Sequence, residues 1–220
     1  NNILNALFMI ASAGIAGALL AAGATVPQLF LLLGLANALV AGYIFLLVPE
    51  YLLRFVAWVL SRLVYRFRVR GDEHIPVQGA AIVVANHVSF VDAVLLMAAS
   101  PRPIRFIMDH RIFATPVLGA LFRLARAIPI APQKDDPQVY ERAFDEARRV
   151  LEAGDLLCIF PEGGITRDGT LQPFKGGIMK ILERQSAPVV PVALVNLWGS
   201  TFSRIEGGRA FARPLRRGLF

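Results

Sequence analysis

The chain has 220 residues, 55% of them hydrophobic, with a net charge of +7, which is too apolar for an ordinary soluble domain and suits an anionic membrane surface or an acidic substrate. Nucleic acid is set aside, because no basic stripe interleaved with aromatics runs along the chain. The single cysteine, Cys158, excludes an internal disulfide and fits a reducing compartment.

The apolar excess lies at the start. No charged residue precedes Glu50. Residues 3–23 and 29–48 are each long enough to cross a hydrocarbon core of about 30 Å as a helix. "ATVPQ" makes the break between them. A secretory leader is not expected, since there is no basic start and there are two runs rather than one short one. The rival reading is a hairpin inside a large soluble core. Ala13, Gly17 and Ala21 recur at four-residue spacing in the first run. They read either as a face for close helix approach or as plain Ala/Gly richness. The chain begins on Asn and stops just after the basic run "RPLRRGLF", as a piece of a longer protein would.

Arg54, Arg62, Arg66, Arg68 and Arg70 follow the second run closely. The positive-inside rule puts that end in the cytoplasm. Residues 50–66 mix these arginines with Leu52, Phe55, Trp58, Val59, Leu63 and Tyr65, as a basic interfacial helix or a plain packed helix would. From residue 67 short strands and helices alternate. Strands are expected at 67–70, 81–85, 104–108, 128–130, 156–160 and 189–194. Helices are expected at 90–99, 115–127, 137–153 and 177–185. Pro137 and Gly154 are good start and stop signals for the third of these. The expected fold is an α/β sandwich around a mixed, mostly parallel sheet, preceded by two transmembrane helices. The organisation read from this is 1–49 for the helices, 50–66 for the interfacial helix and 67–220 for the α/β domain.

In such sheets ligands gather beyond the carboxyl ends of strands. "NHVSFVD" falls at one such end. His87 follows a strand, Ser89 reads as a helix N-cap, and Asp92 comes three residues later. If the chain bends back, Asp92 accepts from one imidazole nitrogen and leaves the other as a base for a hydroxyl. Ser89-x-x-Asp92 is equally a capping box, with His87 a satisfied strand-end histidine. No metal site is expected, since His74 and His110 lack ligand spacing with His87. "LLCIFPEGGITRDGT" places Pro161, Glu162, Gly163 and Gly164 after another apolar strand. Glycines let backbone N–H groups face a ligand and Glu162 can accept from a hydroxyl, although Pro and Gly also make ordinary turns. Cys158 lies inside the strand and reads as core.

These segments resemble a family. "NHVSFVD" resembles the NHxSxxD motif of the glycerolipid acyltransferases, the lysophospholipid acyltransferase family that includes 1-acylglycerol-3-phosphate acyltransferases. "FPEG" resembles the third motif of that family and "VVPVAL" the fourth; "TPVLGALFRLARAIPI" looks like the approach to the second. Order and spacing agree over about residues 67–205. The resemblance implies direct transfer of a fatty acyl group from a coenzyme A or acyl-carrier-protein thioester to a glycerol hydroxyl. It makes His87 the general base and Asp92 its orienting partner. Glu162, Gly163 and Gly164 would hold the acceptor. No cofactor is implied beyond the thioester as co-substrate, and neither Cys158 nor Ser89 is needed as a nucleophile.

Two positions depart from the family pattern. Ile165 and Pro132 stand where many members carry arginines that grip the acceptor phosphate. Arg167 and Lys175, in "PFKGG", are the substitutes, or else solvated surface charges. "FPEGGITRDG" followed by "LWGSTFSR" resembles the acyltransferase module fused behind a lysophospholipid carrier of the major facilitator type. That resemblance implies a bacterial inner-membrane enzyme that re-acylates 2-acylglycerophosphoethanolamine at the cytoplasmic face. Its partners would be lysophospholipid, acyl thioester, membrane lipid and acyl carrier protein. The alternatives are a 1-acylglycerol-3-phosphate acyltransferase and a non-catalytic lipid-binding part of a carrier.

Overall fold

The computed structural model describes residues 2–204. The chain divides into two units at Val48 and Pro49. The first unit is two helices, α1 (Asn2–Ala21) and α2 (Val26–Leu47), of 20 and 22 residues. At 1.5 Å per residue each is about 30 Å long, enough to cross a hydrocarbon core. The connection turns at Gly23, whose φ is +93°. The Thr25 N–H then donates to Gln28 Oε1 at 2.8 Å, which starts α2. No described residue of either helix is buried. Leu and Phe side chains such as Phe8, Phe30 and Leu39 lie open. Exposed in water, these would forfeit roughly 1.5–3 kcal/mol each.

The second unit begins with α3 (Pro49–Val64). Pro49, Ala57 and Ser61 are its buried positions. It packs on α4 (Asp92–Ala99), and Arg54 Nε donates to the Ser100 carbonyl at that helix's end, 2.8 Å away. Glu50 reaches Arg126 at 3.5 Å and Arg105 at 3.7 Å. Tyr51, Phe55, Trp58 and Leu63 remain exposed. One helix thus combines a packed side with an uncovered aromatic one.

Among the described residues five strands form one sheet: β1 (Ala81–Ala85), β2 (Ile104–Asp109), β3 (Ile128–Ile130), β4 (Leu156–Ile159) and β5 (Val189–Val192). Their order is β3-β2-β4-β1-β5 and all four pairings are parallel. The expected mixture of directions is therefore corrected to a wholly parallel sheet among the described strands. Parallel strands covered on both faces read as continuous apolar runs, and the inner strands β1 and β4 do, whereas β2 carries Arg105 and Asp109. Alternate residues feed two cores. Ala81, Val83, Ala85, Phe106 and Cys158 face one, with Leu96 of α4. Ile82, Leu157 and Ile159 face the other, with Phe144, Ala147 and Leu151 of α6 (Pro137–Glu152) and Ile181 of α7 (Gly177–Arg184). The remaining helix, α5 (Pro116–Leu124), joins β2 to β3. Helix α6 starts where Asp136 accepts from the Gln138 and Val139 N–H groups, with Pro137 in the first turn.

The strand expected at 67–70 does not form. Its aromatic and arginine alternation suits a strand, but among the described residues none pairs with it as a strand. Phe67 instead packs in a third cluster around Tyr65, Val88, Leu95 and Leu197.

Candidate active site

Strands β1 and β4 are neighbours with Val84 opposite Ile159. The loops that follow them therefore leave the sheet side by side at its carboxyl edge. The first carries His87 and the second Glu162.

His87 lies before α4, and the chain bends so that Asp92, the first residue of that helix, returns to it. His87 Nδ1 and Asp92 Oδ2 are 2.8 Å apart. Asp92 is fully buried. Its Oδ2 also accepts from the Val88 N–H at 2.6 Å and the Ser89 N–H at 2.9 Å, and its Oδ1 accepts from the Ser89 hydroxyl at 2.5 Å. Acceptance by a carboxylate puts the proton on Nδ1 and leaves Nε2 with the lone pair. Nε2 has no hydrogen-bond partner among the described residues, and the side chain is 22% exposed. The imidazole stacks on Phe160, centroids 4.2 Å apart and planes 16° apart.

Ser89 differs from its expected part. The N-cap is Val91, and the buried Ser89 hydroxyl is spent on Asp92. A hydroxyl so engaged is not free to act as a nucleophile. The thiol of Cys158 is fully buried inside β4, and burial pushes its pKa well above the ordinary thiol range. It is core, as its place in the strand implies.

The expected acceptor-holding residues gather in one open cavity of about 450 Å³. It is lined by Glu162, Gly163, Gly164, Arg167 and Lys175 with Ile165, Gln172, Pro173 and Phe174. Arg167 and Lys175 are both exposed there, and neither pairs with a carboxylate among the described residues. Gly163 has φ +68°, and a Cβ on it would come within 2.5 Å of Lys175 Nζ. The backbone conformation favours glycine, and a side chain there would also push the flexible end of Lys175 aside. Glu162 departs from the expectation of a group turned to the acceptor. It is 5% exposed, and its two oxygens accept from backbone N–H groups, His87 at 2.6 Å and Gln172 at 2.8 Å.

Other residues complete the site without having been marked by the sequence reading. Asn86 reaches across 108 residues: its Nδ2 donates to the Leu194 carbonyl at 3.0 Å, and its Oδ1 accepts from the Leu194 N–H at 2.7 Å. The Thr166 N–H donates to the His87 carbonyl at 2.9 Å. The Phe90 N–H donates to the Phe202 carbonyl, and Ser89 pairs with Ser203. The position of "N" before "H" was the only local signal for Asn86; for the others nothing local distinguishes them. A second depression, of about 790 Å³, is lined by Asp72, Glu73, Ile75 and Pro101 among others. Those residues precede β1 and β2, so it lies at the opposite edge of the sheet from His87.

In sequence and in fold the chain is similar to known acyltransferases. The model of a family described as Acyltransferase matches residues 66–195. A 1-acyl-sn-glycerol-3-phosphate acyltransferase of Limnanthes douglasii is 34% identical over 128 residues, 58% of this chain and 44% of that protein. The chloroplastic 1-acyl-sn-glycerol-3-phosphate acyltransferase BAT2 of Brassica napus is 30% identical over 60% of this chain and 38% of that protein. The crystal structure of the 1-acyl-sn-glycerophosphate (LPA) acyltransferase PlsC from Thermotoga maritima superposes with a TM-score of 0.53 at 25% identity, covering 64% of this chain and 56% of that one. The chain spans less than half the length of these two curated relatives.

Proposed function

This chain belongs to the Acyltransferase family, and from that premise we propose that it moves a fatty acyl group from a thioester to a free glycerol hydroxyl of a lysophospholipid. The observation that carries the reading is the His87–Asp92 pair, with Nε2 unengaged among the described residues, together with a cavity lined by Arg167 and Lys175, neither of which pairs with a carboxylate among those residues.

His87 Nε2 takes the proton of the acceptor hydroxyl as its oxygen attacks the thioester carbonyl. The Asp92 carboxylate holds the tautomer and stabilises the imidazolium. Collapse of the tetrahedral adduct breaks the C–S bond, and the departing thiolate receives the proton from Nε2. The products are the diacyl lipid and the free thiol. Arg167 and Lys175 bind the acceptor phosphate, and Gly163 and Gly164 let it approach the backbone. The donor is an acyl-carrier-protein or coenzyme A thioester.

Two acceptors follow from two observations. Ile165 and Pro132, in place of arginines, favour an acceptor with one fewer phosphate charge to grip, such as 2-acylglycerophosphoethanolamine. The names of the relatives favour 1-acylglycerol-3-phosphate. The arginines after α2 support a catalytic unit at the cytoplasmic face of a bacterial inner membrane. The unpacked small residues Ala13, Gly17 and Ala21 support further helices beside α1, as in a fused lysophospholipid carrier.

The test is acyl transfer in membranes holding this chain, with labelled acyl-carrier-protein and coenzyme A thioesters offered with a panel of lysolipids. Product that forms with wild type and vanishes in His87→Ala is expected. Equal product from the variant would overturn the reading, and the preferred lysolipid decides between the two acceptors.

A further inference from the structure

Glu162 presents a puzzle. It is an acidic side chain at the wall of a cavity read as binding an anionic headgroup. A carboxylate facing a phosphate would repel it. Its surroundings show what it faces instead. Oε1 accepts from the His87 N–H and Oε2 from the Gln172 N–H. An ionised carboxylate is acceptor-only, and at 5% exposure it depends on such donors. Each oxygen is already engaged by a backbone donor, and at this burial little of the group is open to a substrate hydroxyl.

The bonds converge on one residue. The N–H of His87 goes to Glu162 and its carbonyl accepts from the Thr166 N–H at 2.9 Å. Thr166 is 2% exposed, and its Oγ1 donates to the Thr170 carbonyl at 2.8 Å while accepting from the Gly169 N–H at 3.1 Å. The loop 162–172 thus holds the His87 peptide group on both sides. Asp92 and Phe160 hold only the ring. We infer that Glu162 is a positioning residue that fixes His87 by its backbone and joins the two loops of the site, rather than a group that binds the acceptor.

The kinetic half of the test rests on the acyl-transfer reading; the chemical half does not. Glu162→Gln keeps one acceptor oxygen but turns an NH₂ toward a backbone donor, so one of the two bonds is lost. Glu162→Asp keeps the charge but is one methylene too short to span both donors, and it replaces the glutamine variant if that one fails to fold. The expected result is a kcat lower by about 10²-fold, since small misplacements of a reacting group cost that much, with the acceptor KM changed by less than about twofold. Carbethoxylation of His87, mapped by peptide mass in the full chain, should become several-fold faster, while His74 and His110 react at their wild-type rates. A raised acceptor KM with kcat held would overturn the inference, as would unchanged kcat and modification rates. If wild type transfers no acyl group to any lysolipid, the proposed function fails, and the His87 modification rate decides the inference alone.

Discussion

The carboxylate of Asp92 takes four hydrogen bonds while fully buried. Removing its charge should affect both rate and stability. Asp92→Asn places an NH₂ where donors converge and is expected to slow acyl transfer by about 10²-fold or more. It should also cost about 1–3 kcal/mol of stability through unpaired donors, read by chemical denaturation. His87→Ala should lose as much rate but leaves the Val88 and Ser89 donors to Asp92 in place, so its denaturation midpoint should fall less than that of Asp92→Asn. The two variants together separate chemistry from architecture. Cys158, inside the neighbouring strand β4, supplies a control. Buried and with its thiol pKa raised, it should resist alkylation by iodoacetamide in the native protein and react on unfolding. Rapid native labelling would contradict its place in the core.

Elements carry the next set of consequences. Helix α6 covers one face of the sheet through Phe144, Ala147 and Leu151. Phe144→Ala should destabilise the α/β unit by about 3–5 kcal/mol, whereas Asp136→Ala, which removes only the N-cap, should cost about 1 kcal/mol. The loop 166–172 is held differently. The Thr170 hydroxyl and N–H both donate to Asp168, which lowers its pKa. A carboxylate whose folded pKa lies below its unfolded one contributes stability above the unfolded value and loses it as pH falls through the folded one. Hydrogen exchange in this loop should therefore quicken in acid below the usual carboxylate range, and Asp168→Asn should remove that pH dependence. An exchange rate that stays pH-independent after correction for intrinsic chemistry would argue against it.

At the scale of the whole chain, two helices with no buried described residue precede an α/β unit with three apolar clusters. The first unit is stable only where its surroundings are apolar. Leu35 lies near the middle of α2 and is exposed. Leu35→Arg should lower membrane insertion by about 3 kcal/mol, measured with a glycosylation-reporter assay, while a matching substitution at exposed Val77 of the second unit should have no effect on insertion.

Much of this was legible from local pattern. The two long apolar helices, the buried strands β1 and β4, the start of α6 at Pro137, and the bend that returns Asp92 to His87 all depend on residues within a few positions of one another. Hydrophobic period, turn chemistry and capping are local properties, so they can be read along the chain. The strand expected at 67–70 is not found among the described residues for the opposite reason: a strand exists only where a neighbour pairs with it, and alternation says nothing of neighbours. The same limit applies to the site. Glu162 lies 75 residues from His87 and Leu194 lies 108 from Asn86. They meet because β4 and β5 flank β1 in the sheet. The sequence by itself marked the loops after β1 and β4 as candidates for the site. Only the tertiary structure decided that Glu162 faces the backbone of His87, because strand order, not spacing, brings loops of distant sequence to one edge.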